Sequence, residues 1–309
     1  MLGLLAAAVF LTACGGGGEE ETTEPLLDRW RGIVVTLDGP YSAENVGLLM
    51  AENLNYFDDV DLGVEIRDEP VTPERPVWYV AERSVDLAIS HQPQVVLAEE
   101  EGLPITAVGS LVSEPTAAMI WLKKSKIDGI AGLKGKTIGI YGLGFERALL
   151  QSILARAGLT LDDVKVKKVE YETVPDLVSG RIDAIFGNSG NVEGAELESR
   201  GLQPVVTPVQ DLGVPAYDEL VVIARPDRLR EDPRLAHDFM AAVARGTTAA
   251  IEDPKAAAAA IAQASETSNK RAVEATVEAT LPLLSRSGEM NPEQETELVD
   301  WMRGEGLIS

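Results

Sequence analysis

The residues best suited to chemistry stand where short apolar runs give way to polar ones. In "IFGNSGNVEG", Ile185 to Gly194, amides at Asn188 and Asn191 precede a carboxylate at Glu193. "AISHQPQ" presents Ser90, His91 and Gln92, and "VTLDGPYS" presents Asp38 and Tyr41. "IYGLGF" sets Tyr141 and Phe145 around Gly142 and Gly144, while "PAYDEL" adds Tyr217 and Asp218. An ionised carboxylate only accepts hydrogen bonds, so Glu193 suits a ligand edge rich in N–H groups. A glycine turn opening a helix suits the opposite partner, because its backbone N–H groups can face a carboxylate, phosphate or carbonyl. Tyrosine and histidine rings offer faces to a flat molecule. Plainer roles compete: Glu193 as a carboxylate favouring its helix dipole, Asn191 as a cap, Tyr217 and Asp218 as supports of a hinge.

Covalent chemistry finds less support. Neither His91 nor His237 stands in a triad motif, and the glycines 139, 142 and 144 lack dinucleotide spacing, with no phosphate-gripping lysine after them. Two histidines and one cysteine leave little for a metal centre, so neither metal nor cofactor is expected. A net charge of −23 repels phosphate backbones, which argues against nucleic acid as a partner.

The elements that must position these residues alternate. Ile33 to Leu37 predicts a buried strand, and a helix follows from Ser42 as N-cap. "GVEIR", "DLAIS" and "PITAVGSLV" read as further strands separated by helices, one with Pro93 in its first turn. The same grammar resumes with "KTIGIYGLGFERALLQSILARAG" and continues through "KVKKVEY", "DAIFG" and "DELVVIARP". Beyond Pro226 the pattern is helical, and those helices are expected to pack on the first sheet. The class is α/β, with two lobes and two crossovers between them, near Ala118 to Leu122 and Leu220 to Ala224. Lobe I takes 32–119 and 223–309, and lobe II takes 120–222. Ligands of open α/β sheets sit beyond the carboxyl ends of strands, which selects the loops after Leu37, Ser90, Tyr141 and Phe186.

The N-terminus reads as an address. "MLGLLAAAVFLTACGGGGEEETTEP" is an apolar run ending in Leu11-Thr12-Ala13-Cys14, then glycine and glutamate. This order resembles a bacterial lipoprotein signal, although no Lys or Arg precedes the run. Residues 1–13 are expected to be a signal peptide, Cys14 to be lipidated, and 14–31 to be a tether holding an extracytoplasmic body at a membrane face. The run is shorter than the ~20 residues that span a bilayer.

Four blocks carry a more specific resemblance: "SHQPQVVLAEEEGLPITAVGSLV", "LKGKTIGIYGLGFERALLQSILARAGL", "DLVSGRIDAIFGNSGNVEGAELESRG" and "LGVPAYDELVVIARPD". Over roughly Gly32 to Ile251 the chain resembles bacterial ABC-importer binding proteins for thiamine pyrimidine precursors. Their wider group includes fungal pyrimidine synthases and binders of sulfonates, nitrate and riboflavin. The resemblance implies a type II-like periplasmic-binding-protein fold, acting as a monomer without catalysis. It also implies an ABC permease and ATPase as partners and Glu193 reading a pyrimidine edge, with formylaminopyrimidine or hydroxymethylpyrimidine as ligand. Riboflavin, a sulfonate-type anion and a sensor role without transport are the alternatives. The chain departs from the family pattern at Gly39 and at Ser189-Gly190, where stacking aromatics are usual. The departures suggest space for a larger or more polar ligand. A synthase would need a cysteine-rich segment that this sequence lacks.

Overall fold

The computed structural model describes residues 30–68, 75–169 and 173–309. The signal peptide, Cys14 and the tether up to residue 29 lie outside the described residues, as do the side chains of Asn188 and Ser189.

Among the described residues, ten strands form two five-stranded sheets. Strands β1 (Arg31–Thr36), β2 (Leu62–Arg67), β3 (Leu87–His91) and β4 (Thr106–Val112) belong to the first. The second holds β5 (Ala117–Leu122), β6 (Thr137–Ile140), β7 (Lys165–Lys168), β8 (Ala184–Ser189) and β9 (Pro204–Pro208), after which β10 (Leu220–Ala224) returns to the first. The strand orders are β2-β1-β3-β10-β4 and β7-β6-β8-β5-β9. Each sheet thus has one long-range visitor, β10 or β5, running antiparallel between its neighbours. Both visitors are buried along their whole length, which is why "AAMIWL" and "LVVIA" are unbroken apolar runs rather than alternating ones.

That observation corrects the placement of the crossovers. The strands read as crossings are sheet members; the chain passes between sheets just before each, in 113–116 and again in 213–219.

Helices cover both sheets: α1 (Val46–Asn53), α2 (Arg75–Ala81), α3 (Gln92–Glu100), α4 (Gly144–Arg156), α5 (Thr173–Ser179) and α6 (Gly190–Ser199). The C-terminal set is α7 (Pro226–Glu231), α8 (Leu235–Glu252), α9 (Pro254–Ala264), α10 (Lys270–Thr280) and α11 (Pro292–Gly304). Ser42 caps the 3-10 turn that leads into α1, accepting from Glu44 N at 3.2 Å while Asn45 Oδ1 accepts from Ser42 N at 3.1 Å. α8 presents Leu235, Phe239, Ala242, Val243 and Ala250 to the first lobe's core at helical spacing. It crosses α1 so closely that a Cβ on Gly246 would lie 2.0 Å from Gly47 O.

The last of these helices departs from expectation. α8, α9 and α10 pack on the first lobe's core, α10 through Val273 and Val277 while it also lies against α6, but α11 seats Leu298 and Met302 in the second lobe's core. Arg156 of α4 and Glu305 close this contact with a 3.0 Å ion pair. The sequence pattern shows which helix face is apolar, and tertiary packing decides what covers it.

Candidate functional site

A cleft of about 330 Å³ opens between the lobes, beyond the carboxyl ends of β1, β3, β6 and β8. From the first lobe it is lined by Asp38, Gly39, Pro40, Tyr41, Ser42, Glu44 and His91. The facing wall has Tyr141, Gly187, the segment Thr173 to Pro175, and one face of α6 with Val192, Glu193, Glu196 and Arg200 just past its end. The stretch 185–194 holds no loop, because β8 runs directly into α6 and Gly190 is already helical. Glu193 therefore projects from a helical first turn, 6% exposed, with the hydroxyls of Tyr141 and Thr173 each 3.4 Å from its Oε1.

Opposite Glu193 stands a charged relay. His91 Nδ1 donates to Glu219 Oε1 at 2.8 Å, and its Nε2 faces Asp38 Oδ2 at 3.9 Å. Burial alone would lower the imidazole pKa, but the hydrogen bond to Glu219 and the charges of Glu219, Asp38 and Glu44 lift it to about 9. The ring is an imidazolium at neutral pH. Glu219 Oε2 accepts three further hydrogen bonds, from Thr116 N at 2.8 Å, Ala117 N at 3.2 Å and the Tyr217 hydroxyl at 3.2 Å. Although desolvation opposes it, His91 and these backbone donors hold Glu219 below the usual carboxylate range. One side chain thus ties the outgoing crossover, the return crossover and a cleft residue together. Desolvation raises the pKa of Asp38, against the charge of His91, and its Oδ1 meets no hydrogen-bond donor among the described residues. Burial and the charges of Glu52 and Asp68 push Tyr41 up to about 12, so its phenol stays neutral.

The glycine turn has a different role from the one its sequence suggests. Glu146 Oε2 accepts from Gly142 N at 2.8 Å and Leu143 N at 2.9 Å, so the donors expected to face a ligand anion are taken by the chain's own carboxylate. Burial raises the pKa of Glu146 to about 7 in spite of those bonds. Phe145 is buried beneath His91 with ring centroids 5.4 Å apart, and Tyr217 is buried in the same core.

Other candidate residues also fall behind the cleft wall. Ser90 is buried in β3, and Gln92 Oε1 accepts from Asp218 N at 2.9 Å. Asp218 Oδ2 in turn accepts from Asn291 N at 3.2 Å, fastening the start of α11. Asn191 Nδ2 donates to Thr280 Oγ1 at 2.7 Å and joins α6 to α10. Gly144 opens α4 away from the lining, and His237 is exposed beside Asp238. Gly190 leaves no vacated space, since a Cβ there would stand 2.7 Å from that of Ala118 and 3.2 Å from Thr116 O.

Residues 42–257 match the family described as NMT1/THI5 like. This chain belongs to that family. Among its relatives is the formylaminopyrimidine-binding protein of Halalkalibacterium halodurans, 28% identical over 310 residues, 98% of this chain and 92% of that protein. A Haemophilus influenzae protein named for thiamine biosynthesis is 31% identical over 278 residues, covering 89% of this chain and 88% of its own length. Fungal and bacterial relatives carry the name of a pyrimidine phosphate synthase, the Aspergillus parasiticus protein being 28% identical over 71% of this chain and 65% of its own. Among solved structures, the alkanesulfonate-binding protein of Xanthomonas axonopodis pv. citri superposes with a TM-score of 0.70 at 16% identity, over 90% of this chain and 94% of that one. The likeness establishes a two-lobed binding-protein fold.

Within this NMT1/THI5-like fold, sequence reasoning overlooked Glu219, Thr173, Glu196 and Arg200. Glu196 and Arg200 follow Glu193 at helical spacing and were legible as one face of α6. Glu219 was hidden as the last polar residue before an apolar strand.

Proposed function

We propose that this protein is the solute-binding lipoprotein of an ABC importer, anchored outside the cytoplasm through Cys14, and that its cleft captures a thiamine-related aminopyrimidine without making or breaking a bond. The observation that carries the reading is Glu193, a nearly buried carboxylate on the wall facing Asp38 and His91. An aminopyrimidine edge offers N–H donors to such acceptors. Tyr41 and Tyr141, on opposite lobes, supply rings where the family's usual aromatics at 39 and 190 are missing. A ligand that touches both lobes favours the closed arrangement, which a permease can then distinguish from the empty one.

The lining argues against an anion. Asp38, Glu44, Glu193 and Glu196 outnumber the cations His91 and Arg200, and the backbone donors of the glycine turn are already occupied by Glu146. Binding rather than synthesis fits a chain whose single cysteine lies in the lipid-attachment box.

Isothermal titration of the intact protein with formylaminopyrimidine and hydroxymethylpyrimidine tests the proposal. At least one should bind, and Glu193→Gln should weaken it by roughly 10- to 100-fold, the worth of a hydrogen bond to a charged group. Failure of both compounds to bind, or equal binding by the variant, would overturn it.

A further inference from the structure

With α11 seated in the second lobe, the chain passes between the lobes a third time. Up to Met290 it stays with the first lobe: Leu284 forms a β-bridge with Val112, Ser285 N donates to Leu111 O at 2.9 Å, and Ser110 N donates to Gly288 O at 2.9 Å. From Pro292 onward α11 straddles the two, with Glu305 paired to Arg156 of α4 and Ser309 N donating to Glu100 Oε1 of α3 at 3.0 Å. Asn291 is the joint. Its side chain caps α11 by accepting from Glu293 N at 3.0 Å and Gln294 N at 3.3 Å, and its backbone N–H goes to Asp218.

All three crossings therefore meet at two consecutive side chains of the second one. Asp218 holds the third crossing through Asn291 N, and Glu219 holds the first through Thr116 N and Ala117 N. Both carboxylates are buried, 0% and 2% exposed, and neither lines the cleft. Burying two adjacent carboxylates is costly unless their oxygens are well supplied with donors. A carboxylate accepts several bonds at once, so it can gather N–H groups from separate segments where an apolar side chain could only pack between them. Each of those segments must bend if the lobes swing, because a hinge concentrates its backbone rotation in a few residues outside the rigid elements. Fixing all three to one point leaves the lobes one preferred angle.

We propose that Asp218 and Glu219 are a clasp that sets the resting angle between the lobes, acting as positioning residues for closure from behind the cleft wall. The clasp also reaches the cleft, because Glu219 Oε1 accepts from His91 Nδ1 at 2.8 Å. It works in the same way whatever the cleft binds, and so stands apart from the aminopyrimidine reading.

Double electron–electron resonance on the full chain, without ligand, is the test. Spin labels go on Glu198→Cys in α6 and Gln263→Cys in α9, both exposed, with Cys14→Ser removing the only native cysteine. Asp218→Ala and Glu219→Ala should each shift or broaden the interlobe distance distribution by more than about 2 Å, the size of a hinge movement rather than a side-chain adjustment. Asp218→Asn and Glu219→Gln keep an acceptor oxygen and should return the distribution to that of the wild type. Circular dichroism confines the comparison to folded protein; if Glu219→Ala does not fold, the two variants of Asp218 decide alone. Plain loss of stability predicts lower melting temperatures with the distances unchanged. That result, or equal shifts in the alanine and amide variants, overturns the proposal and leaves the resting angle to the contact of α6 with α10.

Discussion

Replacing Glu219 by glutamine removes the charge that holds His91 protonated and leaves the shape of the hinge nearly intact. His91 moves from an ordinary pKa of 6.5 to about 9 in the folded protein, which corresponds to about 3 kcal/mol of preferential stabilisation of the imidazolium. A folded-state pKa above the unfolded value means that the native protein binds the extra proton between the two. The contribution is complete below 6.5 and disappears as pH rises through about 9. In Glu219→Gln the ring keeps its burial, which lowers the pKa, and loses the largest of the influences that raise it. Urea unfolding of both proteins across this window should show the stability gap narrowing by about 3 kcal/mol as pH increases. At neutral pH the variant should be less stable by about 3–5 kcal/mol, the cost of breaking a buried ion pair. Glu146 also titrates nearby, at about 7, and feels the charge of His91, so the comparison is made with Glu146→Gln added to both proteins. A gap that stays constant from 6.5 to about 9 would refute the coupling between His91 and Glu219.

Two further substitutions separate scaffold from site. Gly246→Ala should destabilise by about 3 kcal/mol or more in denaturant melts, because the new Cβ would meet Gly47 O at 2.0 Å and Ala51 N at 2.6 Å where two helices touch. Asn191→Ala should cost about 1 kcal/mol of stability through the lost bond to Thr280 while changing ligand affinity less than Glu193→Gln does; a larger affinity loss in calorimetry would return Asn191 to the ligand.

Strand placement was legible because buried strands are apolar runs bounded by turn residues. Asp38, Tyr41, His91, Tyr141 and Glu193 were found by the rule that ligands sit beyond strand ends, and all of them line the cleft. The crossovers were displaced because "AAMIWL" looks the same whether it bridges lobes or fills a sheet. The glycine turn misled because its N–H groups were judged without Glu146, although a glutamate three residues after Leu143 is itself a capping signal. That α11 seats in the second lobe and that α10 also meets α6 depends on complementarity between distant surfaces, and no local pattern records that. Gly190 shows the same limit: its missing ring suggested space that neighbouring β5 in fact occupies.

The seating of Leu298 and Met302 in the second lobe has a consequence for how the chain is made. Most of that lobe is encoded between β5 and β9, yet two of its fully covered side chains come from the last helix, nearly a hundred residues after β9 ends. A chain produced from its N-terminus first carries an unfinished second lobe until α11 emerges. Closing that long interval carries the entropic cost of joining segments far apart in sequence. Until it closes, apolar surface of the second lobe remains open to whatever machinery handles the unfolded chain.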